Sequence, residues 1–222
     1  MRKKVAVLFS GGKDSCLALH KVLDEYDVSY LLNISPKNID SFMFHKPHLN
    51  LLKMQASELG IELITKKIGG IEGKELEDLK DLIRGVKDKI EGIVVGGIAS
   101  NYQGKRIRKV CDELGLEFIA PLWNYNSEEL WDELLKSNFQ IILTKISCEG
   151  LSRAWLGKII DQNCLKELKK ISKKYKFRID FEGGEAESAV LFMPGFKKKI
   201  EIDFDVESEG EYRYFMKNLK IR

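Results

Sequence analysis

The sequence lacks several features that would assign it to common functional classes. Its four cysteines never form a C-x-x-C pair, which argues against a zinc ribbon or a redox dithiol. No apolar run approaches the roughly 18 residues that a membrane-spanning helix needs. The charge shows no strong bias of sign, because 37 basic residues face 34 acidic ones. A net charge of +3 predicts no strong attraction for nucleic acid.

The sequence also lacks internal repeats, low-complexity segments and a signal peptide, since the first residues run straight into an apolar strand. Together with free thiols, this predicts a cytoplasmic protein with no membrane partner. A chain of 222 residues is long enough for one domain or two small ones.

A short loop between an apolar strand and a helix is the most informative feature that is present. Val5 to Phe9 form the apolar run, Cys16 to Leu23 have the helical period, and S-G-G-K-D-S lies between them. Its adjacent glycines permit a sharp turn and the close approach of a ligand. A helix start presents unpaired N–H groups and a positive dipole end, which suit an anion. The predicted phosphate contacts are Ser10, Gly11, Gly12, Lys13, Asp14 and Ser15.

The spacing of this loop excludes two familiar phosphate-binding motifs. A Walker A loop needs G-x-x-x-x-G-K-[ST], whereas here the two glycines are adjacent and directly precede the lysine. The loop does not match G-x-G-x-x-G either. It resembles the PP-loop of the N-type ATP pyrophosphatases, which split ATP between the α and β phosphates. An ordinary glycine turn is the competing interpretation, but position, charge and hydroxyl groups all favour the ligand.

Strand and helix patterns alternate through the first two-thirds of the chain. Strand patterns at Val28 to Ile34, Ile61 to Thr65 and Gly92 to Gly96 are separated by helical ones, including a helical period from Leu76 to Ile90. This order predicts an α/β fold, with a parallel sheet that has helices on both faces. Ligands of such sheets bind beyond the C-terminal ends of the strands, where the loops after these strands lie.

The pattern changes after about residue 123. Ser127 is predicted to cap a helix, and the alternation from Ile200 to Val206 predicts a half-buried antiparallel strand. This strand is expected to pair with Tyr212 to Ile221. We therefore expect residues 1–123 to form a PP-loop ATP-binding α/β domain and residues 124–222 to form a smaller, substrate-binding α+β domain.

Two further loops at the predicted ligand edge carry candidate nucleotide contacts. Thioether, aromatic and imidazole groups follow the second strand, where they could supply apolar faces for a purine base or fill a gap in the core. A glycine pair and a tyrosine follow the fourth strand, and their sheet-edge position favours a ligand contact over an ordinary solvated helix start. The predicted contacts in these loops are Met43, Phe44, His45, Gly96, Gly97 and Tyr102.

An acidic turn lies far along the chain. The segment F-E-G-G-E-A-E-S sets Glu182, Glu185 and Glu187 around a glycine pair, ahead of the apolar strand Ala189 to Phe192. Carboxylates in such a turn can hold Mg²⁺, act as a base toward an amine, or bind a cationic substrate. A plain hairpin turn with solvated acids is the alternative.

The ordered set of motifs resembles the diphthine-ammonia ligase family, a PP-loop ATP-binding family. The resemblance rests on S-G-G-K-D-S, M-F-H-x-P, G-G-I-x-S-x-Y-Q-x-x-R-x-R-x-V-C, P-L-W and E-G-G-E-x-E-S, which span residues 1 to about 195. Two positions depart from the family pattern. Ala186 stands where an aromatic residue is usual, and Ser188 stands where threonine is usual.

The resemblance implies that ammonium amidates the carboxylate of diphthine, a modified histidine of translation elongation factor 2, at the expense of ATP. AMP transfer would give an acyl-adenylate, with pyrophosphate and then AMP as leaving groups. The implied cofactors are ATP and Mg²⁺, with Asp14 as the metal ligand. The implied catalytic residues are Lys13, Asp14, Glu182, Glu185 and Glu187. Candidates for an aromatic cage around the trimethylammonium group are Trp123, Tyr125 and Trp155.

Two alternatives stay open. The first is another PP-loop enzyme, such as a tRNA-modifying thiolase, lysidine synthase or other amide ligase. Thiolases generally use paired cysteines, for which Cys111 with Cys148 is a poor substitute, and the modest net charge makes tRNA an unexpected partner. The second is a non-catalytic ATP-binding module. Free ammonium is the expected nitrogen source because no glutaminase domain is evident, and a homodimer is compatible with the sequence without being required by it.

Overall fold

The computed structural model describes residues 1–36, 48–69, 74–97 and 101–222, with the side chains of 101–103 outside the description. The chain divides into two compact units, Met1–Asn124 and Tyr125–Arg222, and each unit contains one sheet. Of the helices in the described ranges, none combines the length and the apolar character needed to span a membrane.

The first unit is a five-stranded parallel sheet with helices between its strands. In chain order its elements are β1 (Lys4–Leu8), α1 (Lys13–Val22), β2 (Asp27–Pro36), α2 (Leu49–Leu59), β3 (Glu62–Ile68), α3 (Glu75–Arg84), β4 (Gly92–Val94), α4 (Asn101–Leu114) and β5 (Glu117–Ile119). The strand order is β3-β2-β1-β4-β5, and every neighbouring pair is parallel. The predicted parallel α/β sheet is confirmed.

The sheet is buried on both faces, as the alternation of side chains along β1 shows. Ala6 belongs to a core cluster with Leu79 of α3 and Val110 of α4. Val5 and Val7 point to the opposite face and are equally buried. Right-handed crossovers account for the two layers, because the chain moves one way from β1 to β3 and the other way from β4 to β5. The order therefore reverses between β1 and β4, which makes their C-terminal ends the expected ligand edge.

Two helix boundaries in this unit differ from the pattern in the sequence. Helix α1 begins at Lys13, three residues before the predicted start at Cys16, so part of the phosphate loop is helical. Helix α3 ends at Arg84 because Gly85 forms its C-cap, and a short 3₁₀ turn follows. Val86 and Ile90 are buried beyond that end. Their helical spacing therefore reflects packing in the core, and the helix does not extend to them.

The second unit is a four-stranded antiparallel sheet with two helices. Its elements are α5 (Ser127–Lys136), β6 (Gln140–Ser147), α6 (Gln162–Tyr175), β7 (Ala186–Phe192), β8 (Ile202–Ser208) and β9 (Arg213–Ile221), with strand order β7-β6-β9-β8. The predicted pairing of the two C-terminal strands is confirmed, since Ile202 lies opposite Ile221. Strand β7 begins three residues earlier than predicted, which places Glu187 inside the strand.

Helix α5 is capped one residue earlier than predicted. The Asn126 side chain accepts hydrogen bonds from the N–H groups of Glu128 and Glu129, both at 2.9 Å. The Glu129 carboxylate accepts from the Asn126 N–H at 3.2 Å, which completes a capping box. The predicted cap, Ser127, is wrong, because its hydroxyl donates to Asp180 at 2.6 Å instead. Asparagine and serine cap equally well, so only tertiary contacts separate the two neighbours.

The Asn126 cap yields a prediction about stability. Asn126→Ala should lower the free energy of unfolding by about 1 kcal/mol, because two helical N–H groups lose their acceptor. Urea unfolding followed by circular dichroism measures the change. Asn126→Asp is the matched control, since aspartate caps as well as asparagine. Equal losses in both variants would contradict the assigned cap.

Candidate functional site

The phosphate loop is held from behind by α2. Gly11 has φ +74°, a conformation that glycine adopts without strain. A Cβ at this position would lie 2.2 Å from Gln55 Oε1, so the loop backbone and α2 are in close contact. The Gln55 side chain donates from Nε2 to the Gly11 carbonyl at 3.0 Å. Replacement of Gly11 would therefore introduce both strain and a steric clash.

The loop's two serine hydroxyls brace the loop itself. Ser15 Oγ donates to the Gly12 carbonyl at 3.2 Å and accepts from the Ser10 N–H at 3.3 Å. The two hydroxyl oxygens lie 3.1 Å apart, and the Gly12 N–H donates to Ser10 Oγ at 3.4 Å. Gly12 is the N-cap of α1, and no side chain in the described part of the protein caps this helix. The start of α1 can therefore offer N–H groups and its positive dipole end to an anion.

Lys13 and Asp14 form an ion pair within the first turn of α1. Lys13 Nζ lies 2.8 Å from Asp14 Oδ2 and 3.0 Å from Oδ1. The Lys13 side chain is 3% exposed and that of Asp14 is 26% exposed. The lysine charge is thus compensated in this structure. A phosphate that contacts Lys13 must share the ammonium group with Asp14 or displace it.

The loop after β4 packs directly against the phosphate loop. A Cβ on Gly96 would lie 2.7 Å from the Ser15 nitrogen and 2.8 Å from the Asp14 carbonyl carbon, so a side chain has no space there. Among the described residues, a Cβ on Gly97 would meet nothing within 4 Å. The structure therefore packs Gly96 against the phosphate loop, whereas a contact between Gly97 and a ligand stays a prediction. Tyr102 lies in the first turn of α4.

The predicted base contacts Met43, Phe44 and His45 lie outside the described residues. Their proposed role in holding the adenine therefore stays a prediction.

Two buried amides hold the loop, and sequence analysis missed both. Asn33, 4% exposed in β2, donates from Nδ2 to the Phe9 carbonyl at 2.8 Å. Gln55 binds the Gly11 carbonyl in the same way. A sequence feature that could identify both is present, because each is a polar residue inside an apolar stretch of strand or helix. Buried amides of this kind need hydrogen-bond partners, and here the loop supplies them.

The acidic turn is built around a buried carboxylate that sequence analysis also missed. The Asp180 side chain is 3% exposed and accepts from Arg178 Nε and Nη2 at 2.9 and 2.8 Å. It also accepts from Ser127 Oγ at 2.6 Å and from the Glu182 N–H at 3.0 Å. Burial by itself would raise the pKa of Asp180, but these hydrogen bonds and the guanidinium charge outweigh burial and lower it. An ionised Asp180 thus ties the turn to the start of α5.

The three predicted glutamates occupy different environments. Glu182 is exposed in the turn. Glu185 is half-buried, and its Oε1 accepts from the Arg178 N–H at 3.0 Å. Within the described ranges, Glu185 Oε2 is buried and has no hydrogen-bond partner. Glu187 lies in β7 and forms an ion pair with Lys145 Nζ of β6 at 2.9 Å. A lysine ammonium thus neutralises the Glu187 carboxylate.

Two of the candidate cage residues take part in packing. Gly104 of α4 leaves room for the Trp123 ring, which lies 2.9 Å from where a Cβ would be. Trp155 is 6% exposed, and Lys158 Nζ lies 4.9 Å from its ring centroid. A cage for a quaternary ammonium needs open ring faces, so Trp155 fits that role poorly.

A dedicated metal cage is not found among the residues that the structure describes, because no group of three or more histidine, cysteine, aspartate or glutamate side chains is arranged to hold an ion. Mg²⁺ in nucleotide sites commonly uses one or two carboxylates together with phosphates and waters. Asp14, a partly exposed carboxylate in the phosphate loop, fits this second kind of site.

The parallel sheet, with S-G-G-K-D-S at its topological switch point, defines an α/β nucleotide-binding protein of the PP-loop class. Two family models match the chain. The diphthamide synthase N-terminal domain covers residues 3–118, and the diphthamide synthase C-terminal domain covers residues 126–221. The chain belongs to the diphthine–ammonia ligase family, and as a member it is an ATP-dependent carbon–nitrogen ligase.

Individual relatives agree with this assignment. The chain is 37% identical to a Bos taurus diphthine–ammonia ligase, with 90% of this chain and 83% of the relative covered. The Homo sapiens protein of the same name is 36% identical over the same shares. A solved structure described as a predicted subunit of a tRNA methyltransferase from Methanocaldococcus jannaschii shares 21% identity with a TM-score of 0.44, covering 89% of this chain and all of that one. Likeness at that level carries no inference about function.

The glycine pair after β4 yields a matched prediction. Gly96→Ala should destabilise the protein because its Cβ would meet backbone atoms of α1. Gly97→Ala should unfold at the wild-type temperature, since its Cβ meets none of the described residues within 4 Å, yet it should bind ATP about tenfold more weakly if a ligand lies against Gly97. Thermal unfolding and calorimetric ATP titration test the pair. Wild-type ATP affinity in Gly97→Ala would remove Gly97 from the site.

Asp180 yields a prediction with a pH dependence. Asp180→Asn should lower the free energy of unfolding by about 1–3 kcal/mol at pH 7, because the Arg178, Ser127 and Glu182 donors lose a buried, charged acceptor. The folded pKa is lowered, so the stabilisation is present above the unfolded pKa near 3.9 and disappears as pH falls through the folded value. The two proteins should therefore converge in acid. Urea unfolding at pH 7 and pH 3 measures this.

The control for that measurement is Asp203→Asn. Asp203 also pairs with an arginine, Arg222, but both side chains are more than half exposed. Its replacement should change stability much less. Equal effects of the two substitutions at pH 7 would show that the burial of Asp180 is irrelevant.

Proposed function

We propose that this protein amidates the carboxylate of diphthine on translation elongation factor 2 with ammonium, through an acyl-adenylate formed from ATP. The observation that carries the proposal is the acidic turn, which gathers several carboxylates. The Arg178 guanidinium interacts with the carboxylates of Asp180, Glu182 and Glu185. Such a turn favours a cationic ligand, and both diphthine and ammonium carry positive charge. The names of the relatives support the same reaction.

The chemistry divides into two transfers. A carboxylate oxygen attacks the α-phosphorus of ATP and expels pyrophosphate, which leaves an acyl-adenylate. Ammonia then attacks the acyl carbon, AMP leaves with the bonding electrons, and one proton is released as the amide forms. The N–H groups at the start of α1 and the Lys13 ammonium would stabilise the charge that develops on pyrophosphate. Mg²⁺, held by Asp14 and the phosphates, would supply further charge neutralisation.

Among the glutamates, Glu185 is best suited to receive a cation. Its Oε1 is fixed by the Arg178 N–H, while in the described part of the chain Oε2 has no donor. A buried acceptor without a donor is unfavourable, and an ammonium ion could supply one. Glu187 is less suited because Lys145 already neutralises it. We therefore assign ammonium binding or deprotonation to Glu185, and electrostatic attraction of the substrate to Glu182.

The thiolase alternative loses support from the cysteines. Burial raises the pKa of Cys111 to about 12, and burial with the nearby Glu185 carboxylate raises that of Cys148 to about 11. Both thiols are therefore protonated at neutral pH and are poor nucleophiles.

We propose a cytoplasmic protein that uses ATP, ammonium and a protein substrate.

The decisive experiment is a complete reaction with defined omissions. The protein is incubated with ATP, ammonium and elongation factor 2 bearing diphthine, and mass spectrometry follows conversion of the acid to the amide. AMP and pyrophosphate should appear in step with the amide and should be absent without ATP. Turnover with glutamine and no added ammonium would overturn the assigned nitrogen source. AMP production with a different substrate and no amide would overturn the function, and ATP binding without any turnover would identify a binding module.

The glutamates yield a matched prediction for the same assay. Glu185→Gln should lower kcat/KM for ammonium about 100-fold while circular dichroism and ATP affinity stay at wild-type values, because it removes only the charge. Glu187→Gln should change kcat/KM less than about threefold, since the Glu187 carboxylate is already bonded to Lys145 and is not presented to the amine. The reverse order would assign the amine to Glu187.

A further inference from the structure

The two glycines of the acidic turn differ in backbone conformation. Gly184 has φ +83°, in the left-handed region where a residue with a side chain is strained, and its N–H donates to the Phe181 carbonyl at 3.1 Å. This hydrogen bond closes a turn that has Glu182 and Gly183 at its centre. Gly183 lies outside the left-handed region. Backbone conformation therefore requires glycine at position 184 and does not require it at position 183.

The Glu185 carboxylate occupies the space that a side chain at Gly183 would need. A Cβ on Gly183 would lie 2.6 Å from Glu185 Oε1, 2.9 Å from Cδ and 3.1 Å from Oε2, so its three nearest atoms all belong to one carboxyl group. A Cβ on Gly184 would meet none of the described residues within 4 Å. The missing Cβ of Gly183 thus allows the Glu185 side chain to fold back over the turn.

Two further contacts hold Glu185 in this folded-back position. Its carbonyl accepts from the Ser147 N–H, at the end of β6, at 2.7 Å. Its Oε1 accepts from the Arg178 N–H at 3.0 Å, while Oε2 is buried and has no hydrogen-bond partner in the described ranges. An exposed glutamate would hydrate both oxygens, so the folded-back position is unfavourable for Oε2 in the absence of a ligand.

We propose that Gly183 is a positioning residue for the amidation, because it leaves the space in which the Glu185 carboxylate meets the incoming amine; this inference rests on the proposed function. A side chain at position 183 would displace the carboxylate. The displaced atoms are the end of a flexible side chain, which can turn into water at little cost to stability. Gly184 has the separate role of permitting the left-handed backbone of the turn.

The first test follows the carboxylate without any turnover. In Gly183→Ala the new Cβ should remove Oε1 from the Arg178 N–H, and this amide should exchange with solvent about tenfold faster in NMR hydrogen-exchange measurements. The melting temperature should not fall, because alanine is unstrained outside the left-handed region and the carboxylate gains water. The matched control is Gly184→Ala, which should melt at a lower temperature and keep the wild-type exchange rate of the Arg178 amide.

The second test measures the reaction. Gly183→Ala should lower kcat/KM for ammonium about 30-fold and leave the Kd for ATP unchanged, because a misplaced carboxylate no longer meets the amine. In a Glu185→Gln background, the same substitution should lower kcat/KM by less than about a further twofold, since the charge that Gly183 positions is already absent. Gly184→Ala should stay within about threefold of the wild type, at a temperature where it is folded, because its Cβ does not meet the carboxylate.

The outcomes separate the positioning role from the function. A wild-type exchange rate of the Arg178 amide in Gly183→Ala overturns the positioning role, whatever reaction the protein catalyses. Faster exchange with wild-type ammonium kinetics also overturns it, because the carboxylate then moves without consequence. Faster exchange together with no amidation by the wild type overturns the proposed function and leaves the placement of the carboxylate by Gly183 intact.

The two comparisons provide further ways to reject the proposal. Fully additive losses in the double variant Gly183→Ala with Glu185→Gln overturn it, because Gly183 would then act independently of Glu185. Equal changes of amide exchange and of kcat/KM in Gly183→Ala and Gly184→Ala overturn it as well, because any alteration of the turn would then have the same effect.

Discussion

The phosphate loop depends on hydrogen bonds made to its carbonyl groups from behind. A loop that binds an anion must present N–H groups outward, so its carbonyls need donors from within the fold. Asn33 and Gln55 supply these donors to Phe9 and Gly11. The backbone of Gly96 closes the remaining side at van der Waals contact with α1. Strand β2, helix α2 and the end of β4 are therefore all required to give the loop its shape.

In the second unit, a buried carboxylate fixes the shape of the acidic turn. The acidic turn carries negative charge that would repel itself without a fixed scaffold. Asp180 supplies that scaffold because its oxygens accept from a guanidinium, a hydroxyl and a backbone N–H. This arrangement uses one buried charge to organise exposed ones. Glu187 is held differently, because the pairing of β6 with β7 places it opposite Lys145.

The motifs could be read from the sequence because each has a local cause. Adjacent glycines before Lys13 predict a turn and an anion site, and the apolar alternation from Ile200 to Val206 predicts an antiparallel strand. The ends of helices are harder to predict from the sequence, because they depend on neighbours that are distant along the chain. Val86 and Ile90 keep the helical spacing yet lie beyond the end of α3, since both are held by the core. Ser127 was mistaken for a cap because its partner, Asp180, is distant along the chain.

Glycine pairs, charge and hydrophobic period act over a few residues, so the class of fold, the phosphate loop and the acidic turn can be predicted from local patterns. How these groups are used depends on the folded protein. It pairs Lys13 with Asp14, packs Gly96 against the start of α1, and separates three similar glutamates into different environments. The reason is that burial and hydrogen bonding depend on contacts between side chains that are distant in sequence, and a local sequence pattern does not contain those contacts.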